Sequence, residues 1–395
     1  MDKISSVKAG LVHDSHGDFT VEAAVSVGKQ TGKASVPSGV STGMHEAVAF
    51  DAAKAADNIN KIIAQAVVGK RLCQQELDDL MAGLDGTKNK SRLGANATLA
   101  VSLAFARASA LAEKKPLYAY ISGLTGKKMR MPAPFLNILE GGRHASTDLA
   151  LQEFMIVPEE KTFSESMAAA KETYNALKSV IKRKFRKTRF GDEGGFSPDI
   201  STAEEALDLL EEAVSCSGRR IVFAVDAAAS AFYKKGKYAV KKGSKTLSAG
   251  ELADYYMGLI RHYKIISLED PFEQEHFNDF ARLTKMAKVQ IVGDDLLATN
   301  IARIRKAAKL KSCNCLLLKP NQAGTLSEAV AAAKTALKSS WRVMVSHRGH
   351  ETMDSFLADL AVGGGYGQIK AGAPFQKERA AKYSRLLKIE RELKK

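Results

Sequence analysis

The chain has 395 residues, of which 45% are hydrophobic and 26% are charged, and its formal net charge is +15 at pH 7. This composition excludes a disordered or collagen-like chain and leaves room for two or three domains. The longest uncharged stretch, residues 93–106, is shorter than the roughly 20 residues of a membrane helix, and the first residues lack the pattern of a secretory signal. We therefore expect no membrane span and a cytoplasmic location.

The first 128 residues predict a small α+β domain. Residues 19–27 alternate between apolar and polar side chains, which is the period of a strand. Helical patterns follow at residues 51–68, 74–84 and 96–114. A connection rich in Gly and Lys, with two prolines, then spans residues 122–134 and marks a boundary. We place the predicted domains at residues 1–128 and 129–395.

The second domain shows a repeated unit from about residue 223 onward. A short apolar run ends in a polar residue, and a loop and an alanine-rich amphipathic stretch follow. The terminal polar residues are Asp226, Glu269, Asp294, Lys319, His347 and Lys370. Their spacing of 23 to 43 residues fits one strand, one loop and one helix per unit. The expected fold is α/β: a modified β/α (TIM-type) barrel with a smaller N-terminal α+β domain.

Residues that end successive barrel strands meet at one face, where such enzymes keep their active sites. Asp226, Glu269 and Asp294 would bring three carboxylates together there, and like charges raise one another's pKa unless a cation neutralises them. A hard divalent ion that prefers oxygen ligands, with Mg²⁺ as the first choice, completes such a set. Helix caps or surface ion pairs are the alternative, which the position of each acid after an apolar run disfavours.

Two further features predict chemistry at the same face. Lys319 precedes a proline at a strand end, and a lysine near metal ions and another lysine loses its proton more easily and can act as a base. Glu193 lies between glycines at residues 191–196, a pattern that alone is more often a turn than a catalytic acid. The Gly-rich segments that carry Ser41 and His144 lack nucleotide-binding motifs and are better interpreted as lids.

Several long motifs together give the chain a family resemblance. They are VPSGVSTGMHEA, SRLGANATLAVSLAFARA, GGRHASTDLALQEFM, GDEGGFSP, SLEDPF, GDDLLATN, LLLKPNQAGT, VSHRGHET and GQIKAGAP. In this order, over essentially the whole chain, they resemble enolase, the phosphopyruvate hydratase family. The resemblance implies a barrel whose first strands are not all parallel, a homodimer, and reversible dehydration of 2-phospho-D-glycerate to phosphoenolpyruvate in glycolysis and gluconeogenesis.

The resemblance also assigns roles to individual residues. Two Mg²⁺ ions per site are implied, one held by Asp226, Glu269 and Asp294 and the other by Ser41 with the substrate phosphate. The remaining implied roles are proton removal by Lys319, protonation of the leaving hydroxyl by Glu193 with help from Glu153, closure by His144, and substrate contacts by His347, Arg348 and Lys370.

The sequence departs from the family pattern at two positions of interest. His16 stands where the family has an arginine, which puts the dimer contact in doubt. Gly349 stands where a serine normally touches phosphate, so we expect weaker phosphate binding but intact chemistry. Segments after Asp51 and before GDEGG are also shorter than is typical of the family.

Two alternatives remain open at this point. One is a relative on the same fold that acts on another carboxylate-bearing substrate. The other is a binding protein that attracts anionic partners through seven basic residues within 178–189, or plasminogen through Lys394 and Lys395. Because only Phe185 interleaves the basic run, a stacking platform for nucleic acid is unsupported, and salt-sensitive nonspecific binding is the remaining option.

Overall fold

A computed structural model describes residues 2–39, 43–185, 187, 189–241, 243 and 245–394. The strands are β1 (Ile4–His13), β2 (Phe19–Val27), β3 (Gln30–Ser35), β4 (Ala133–Glu140), β5 (Glu153–Pro158), β6 (Ile221–Asp226), β7 (Tyr233–Lys234), β8 (Lys237–Tyr238), β9 (Ile265–Glu269), β10 (Gln290–Gly293), β11 (Cys315–Leu318), β12 (Arg342–Ser346) and β13 (Gly367–Lys370). The α-helices are α1 (Ala52–Asn58), α2 (Ala64–Val67), α3 (Gln74–Asp85), α4 (Ala95–Ala112), α5 (Leu117–Thr125), α6 (Phe163–Lys184), α7 (Ala203–Ser217), α8 (Ala249–His262), α9 (Phe277–Ala287), α10 (Ile301–Leu310), α11 (Pro320–Ala323), α12 (Leu326–Lys338), α13 (Phe356–Gly363) and α14 (Lys377–Leu393).

The N-terminal part is a three-stranded antiparallel sheet in the order β1-β2-β3, and α4 packs against β2 and β3. The predicted strand at 19–27 and the three helical patterns are confirmed, with a π-helical turn (Ile59–Ile63) between α1 and α2. A Cβ atom at Gly32 would collide with the backbone of Ala104 and Ala108, so glycine in β3 lets α4 approach the sheet closely.

Helix α4 is long and apolar enough to cross a membrane by length and composition alone, and 78% of it is buried inside the protein. The uncharged stretch of residues 93–106 ends before the charged Arg107, whereas the helix continues to Ala112. Its small side chains pack on β2 and β3. Such burial is typical of the core helix of a globular domain.

The second part is a closed barrel in the order β4-β5-β6-β9-β10-β11-β12-β13, with β13 paired to β4. Strand β5 runs antiparallel to both of its neighbours, and the other adjacent pairs are parallel. The barrel strands of the repeated unit, from β6 onward, are parallel to one another, and the antiparallel β5 precedes that unit, where the family resemblance implied first strands that are not all parallel. The connection from β4 to β5 contains only a short 3₁₀ turn (Gly142–His144), and a connection without a crossover helix returns the chain antiparallel.

The barrel interior is a packed core, and the polar ends of the strands lie above it. Side chains that fill the interior are Phe135, Met155, Val157, Val222, Ala224, Val292, Cys315, Leu317 and Met344. Several outer helices begin with a capping box, in which a Ser or Thr hydroxyl and a Glu carboxylate three residues later bond to each other's backbone amides; these include α6, α7 and α8.

Candidate active site

The polar residues that end the barrel strands converge at one end of the barrel. Asp226, Glu269 and Lys370 are the last residues of β6, β9 and β13, and Asp294, Lys319 and His347 directly follow β10, β11 and β12. All of them except Glu269 line one cavity. The same cavity is lined by His144, Glu153, Glu193 and Arg348.

The reversed direction of β5 explains how Glu153 reaches this cavity. Glu153 is the first residue of β5, and in an antiparallel strand the first residue lies beside the last residues of its neighbours. It pairs with Asp226 at the end of β6 and with Glu140 at the end of β4. Because Glu153 begins its strand, it does not follow an apolar run in the sequence as the residues at the strand ends do.

The ammonium group of Lys370 binds three carboxylates. Its Nζ lies 3.1 Å from Asp226 Oδ2, 2.9 Å from Glu269 Oε1 and 3.1 Å from Glu153 Oε2. Burial lowers the pKa of Lys370, but the negative charges of Asp226, Glu153 and Glu269 outweigh it, so the pKa is raised well above its ordinary value. Lys370 is therefore a permanent cation in this cluster.

The described residues fit a divalent cation. Asp226 and Glu269 already converge on one cationic nitrogen, and Glu269 Oε2 is buried without a hydrogen-bond partner among the described residues. Carboxylate oxygens of Asp270, Asp294 and Asp295 lie within 4.8 Å of one another beside them. Oxygen donors in this number are the ligands that Mg²⁺ or Mn²⁺ prefers.

Lys319 pairs with Asp294 at 2.5 Å between Nζ and Oδ2. Burial favours the neutral amine, but the Asp294 carboxylate outweighs it and raises the pKa of Lys319 above its ordinary value. The expected easier loss of the Lys319 proton depends on neighbouring metal ions and stays a prediction.

Glu193 is held in the cavity by both its side chain and its backbone. Its Oε2 accepts a hydrogen bond from Asn137 Nδ2 at 3.1 Å and lies 3.2 Å from His347 Nε2. Glu140, buried at the end of β4, accepts the backbone N–H groups of Glu193 and Gly195 at 3.1 and 2.5 Å. The glycine-flanked loop is therefore a fixed turn that points an acid into the site.

Burial and neighbouring charges separate the proton affinities of the cavity acids. Burial raises the pKa of Glu153 well above its ordinary value, and the charge of Glu193 raises it further. Burial also opposes ionisation of Glu193, but His347, Arg379 and His144 outweigh it and hold the pKa of Glu193 well below its ordinary value. Burial lowers the pKa of His347 to about 4. Burial also lowers the pKa of His144.

Arg348 bridges the two parts of the chain. Its guanidinium contacts Glu46 with Nη1 at 2.8 Å and Nη2 at 3.2 Å. Glu46 also accepts the backbone N–H of Gly43, next to the Gly-rich segment that carries Ser41, which we call the first lid. Ser41, the predicted lid ligand, lies outside the described residues.

Sequence reasoning missed three residues that shape the site. Glu140 orients the Glu193 loop, and Asp270 accepts the N–H groups of Asp294 and Asp295 at 2.9 and 2.7 Å. Arg379 contacts His347 and donates to the carbonyl oxygens of Arg348 and Gly349. Asp270 follows Glu269 in SLEDPF, so a search that accepted two acids per strand end would have found it. Glu140 ends the apolar strand β4 and carries the same signal, whereas no comparable local signal marks Arg379.

A closed β/α barrel with carboxylates, lysines and histidines gathered at the strand ends defines a barrel enzyme suited to a metal ion and an anionic substrate. Residues 128–395 match the family described as "Enolase, C-terminal TIM barrel domain", and residues 4–121 match "Enolase, N-terminal domain". A curated enolase from Methanocaldococcus jannaschii is 50% identical over 408 aligned positions, which cover 99% of this chain and 96% of that protein. The chain therefore belongs to the enolase family, and its function is that of an enolase, a lyase. No observation on the described residues supports the alternative of a non-catalytic binding protein.

Proposed function

We propose that this enzyme is a Mg²⁺-dependent phosphopyruvate hydratase. It interconverts 2-phospho-D-glycerate and phosphoenolpyruvate with water in glycolysis and gluconeogenesis, as a cytoplasmic homodimer whose two domains meet near residue 128. The observation that carries the proposal is the placement of Lys319 in the same cavity as the Glu153 and Glu193 pair. The same cavity then holds a base that removes the proton and an acid that protonates the leaving hydroxyl in one elimination reaction.

In the proposed forward reaction, Lys319 takes the proton from the carbon next to the substrate carboxylate. The hydroxyl on the following carbon leaves as water with a proton from Glu193, and the carbon–carbon double bond forms from the electrons of the broken C–H bond. Glu153 supports this step because its pKa is raised while that of Glu193 is lowered, so Glu153 can pass to Glu193 the proton that Glu193 delivers to the leaving hydroxyl. Water addition uses the same groups in reverse.

Substrate binding in this proposal uses the cations of the cavity. Lys370 faces the substrate carboxylate, while His347 and Arg348 contact the substrate and its phosphate, and His144 closes over it. Arg348 must exchange its contact with Glu46 for the phosphate, which links phosphate binding to the segment after the first lid. The backbone N–H of Gly349 replaces the hydroxyl that the family uses at that position.

Asp226, Glu269 and Asp294 would hold one Mg²⁺, and Ser41 would contribute to a second. Bound there, the ions supply positive charge next to the substrate carboxylate and phosphate. The support for this assignment is the convergence of Asp226 and Glu269 on one cation and the buried, unbonded Oε2 of Glu269.

The test is the ultraviolet absorbance of phosphoenolpyruvate formed from 2-phospho-D-glycerate with Mg²⁺. We expect Lys319→Ala to lower kcat by roughly 10²–10⁴-fold, the usual contribution of a positioned base. Lys309→Ala, at an exposed position of α10, is the matched control and should retain activity. A chelator should abolish the signal and added Mg²⁺ should restore it. Full activity of Lys319→Ala, or of the chelated enzyme, would contradict the proposal.

A further inference from the structure

A second group of metal-ligating side chains lies outside the active-site cavity. Asp14 and His16 belong to the turn between β1 and β2, and His350 belongs to the loop after β12. One ligand atom from each of the three lies within 4.8 Å of the other two. None of the three lines the cavity that contains Lys319.

The side chains of this cluster are in direct contact with one another. His350 Nδ1 lies 3.3 Å from Asp14 Oδ2 and 3.7 Å from Asp18 Oδ2. The imidazole rings of His16 and His350 are stacked, with centroids 4.0 Å apart and planes inclined by 17°. Two imidazoles and a carboxylate thus share one small volume.

The carboxylate of this cluster is fixed before any ion arrives. Asp14 is only 7% exposed, and its Oδ1 accepts the backbone N–H groups of His16 and Asp18 at 2.9 and 3.0 Å. Its Oδ2 is thereby directed at His350. Hydrogen bonds of this kind from neighbouring groups are what hold metal ligands in orientation. The Ser15 hydroxyl contacts His16 Nδ1 at 3.2 Å, and the exposed His16 ring turns out of its stack when both imidazoles bind one ion.

We propose that Asp14, His16 and His350 bind one divalent transition-metal ion of the Zn²⁺ type, with the exposed Asp18 close enough to serve as a fourth ligand. Two imidazole nitrogens and carboxylate oxygens suit Zn²⁺ or Co²⁺, whereas the oxygen-rich active site suits Mg²⁺. The chemistry of the donors therefore separates the two sites. In the single chain His16 and Asp18 are exposed, so the ion reaches these ligands without a buried path.

The proposed ion would cross-link the N-terminal sheet to the loop that carries Arg348. That loop already pairs with the base of the first lid, because Ser38 and His350 exchange both backbone hydrogen bonds at 3.0 Å. Ser15 N also donates to the Glu351 carbonyl at 2.7 Å. An ion bound to His16 and His350 would stabilise this backbone pairing between Ser38 and His350.

The test is a Co²⁺ titration of the full-length enzyme in a large excess of Mg²⁺, followed by visible absorption and displacement with Zn²⁺. We expect one equivalent of Co²⁺ with the intense bands of a four-coordinate site. His16→Gln should weaken this binding at least tenfold, and because His16 is exposed the variant should fold normally. His13→Gln is the matched control: His13 is also exposed and is the residue before Asp14, but its Nδ1 bonds the Gly17 carbonyl.

A second measurement locates the ion. Zn²⁺ should slow amide hydrogen exchange at Ser38 and His350 in the unmodified enzyme and in His13→Gln, but not in His16→Gln. Absence of intense Co²⁺ bands would overturn the proposal. So would bands that persist unchanged in His16→Gln with no slowing at Ser38, since the ion would then occupy the His144, Glu153 and Glu193 group of the active site.

Discussion

Glu153 and Glu193 occupy one cavity but differ in proton affinity because their neighbours differ. Glu193 has His347 and Arg379 close by, whereas Glu153 faces the charges of Glu193, Asp226 and Glu269 as well as Lys370. Of the two carboxyl groups, Glu153 therefore binds a proton more readily than Glu193. Two carboxyl groups with separated pKa values are the arrangement that general acid–base enzymes use to divide their roles.

Gly195 shows how tightly the Glu193 loop is packed. A Cβ atom there would lie 2.8 Å from Glu140 Oε1 and 2.9 Å from the backbone carbon of Ile138. Since β4 belongs to the closed barrel, the loop must move, and Gly195→Ala should destabilise the fold by about 1–3 kcal/mol. It should also lower kcat at least tenfold by displacing Glu193.

Gly258→Ala is the matched control for this prediction, because a Cβ atom there meets nothing within 4 Å and the residue lies inside α8. It should leave kcat unchanged and raise helix stability by up to about 1 kcal/mol. Urea unfolding and steady-state kinetics check both variants. A Gly195→Ala enzyme with normal kcat would show that the position of the loop does not control the acid.

The sequence predicts which residues end strands, but not which residues hold them in place. Asp226, Glu269 and Lys370 follow from apolar runs and the barrel rule, and each of them ends a barrel strand. Glu140 also ends a strand, but its contact with the Glu193 backbone and that of Arg379 with His347 span 53 and 32 residues. Contacts between distant segments depend on the folded barrel, so the sequence offers no period or spacing to detect them.

At the scale of elements, the direction of β5 is the feature that periodicity could not supply. A run of apolar residues predicts a strand but has no polarity, and only the connection decides its direction. The connection before β5 is a lid with a 3₁₀ turn instead of a crossover helix. This reversal places Glu153 opposite Asp226, so the acid pair of the site depends on it.

The N-terminus of α7 gives a prediction about one element alone. The Thr202 hydroxyl accepts the Glu205 N–H, and Glu205 Oε2 accepts the Thr202 N–H at 2.9 Å. Thr202→Ala removes one half of this capping box and should lower the free energy of unfolding by about 1 kcal/mol. Thr202→Ser keeps the oxygen and should behave like the unmodified protein in urea unfolding, with kcat unchanged in both. Equal stability of the two variants would show that the cap contributes nothing measurable.

At the scale of the whole molecule, polar contacts join the N-terminal helices to the barrel. Arg107 Nη1 and Nη2 contact the two oxygens of Asp354 at 2.5 and 2.8 Å. Asp78 in α3 accepts the Ser327 N–H at the start of α12 at 2.9 Å. Since Arg348 reaches Glu46 across the same boundary, the site is complete only when both parts are docked.

The buried carboxyl group of Asp78 makes the stability of this contact between α3 and α12 depend on pH. Burial raises its pKa to about 6 in spite of hydrogen bonds from Ser327, Ser102 and Gln74, while an exposed aspartate titrates near 3.8. Between these two pH values Asp78 is ionised in the unfolded chain but protonated in the folded protein. The free energy of unfolding therefore falls as the pH rises from about 4 to 6. The loss is roughly 3 kcal/mol and is complete at pH 7.

Asp78→Asn should therefore stabilise the protein at pH 7, by up to roughly 3 kcal/mol, and have little effect at pH 4. The asparagine oxygen can still accept the Ser327 N–H, and its amide faces Gln74, whose buried Oε1 has no hydrogen-bond partner among the described residues. Asp79→Asn, at the exposed neighbouring position, is the control and should change stability little at either pH. Urea unfolding at pH 4, 5, 6 and 7 separates the two cases. A destabilisation of Asp78→Asn that is equal at every pH would mean that the hydrogen bonds of the carboxylate outweigh the cost of its burial.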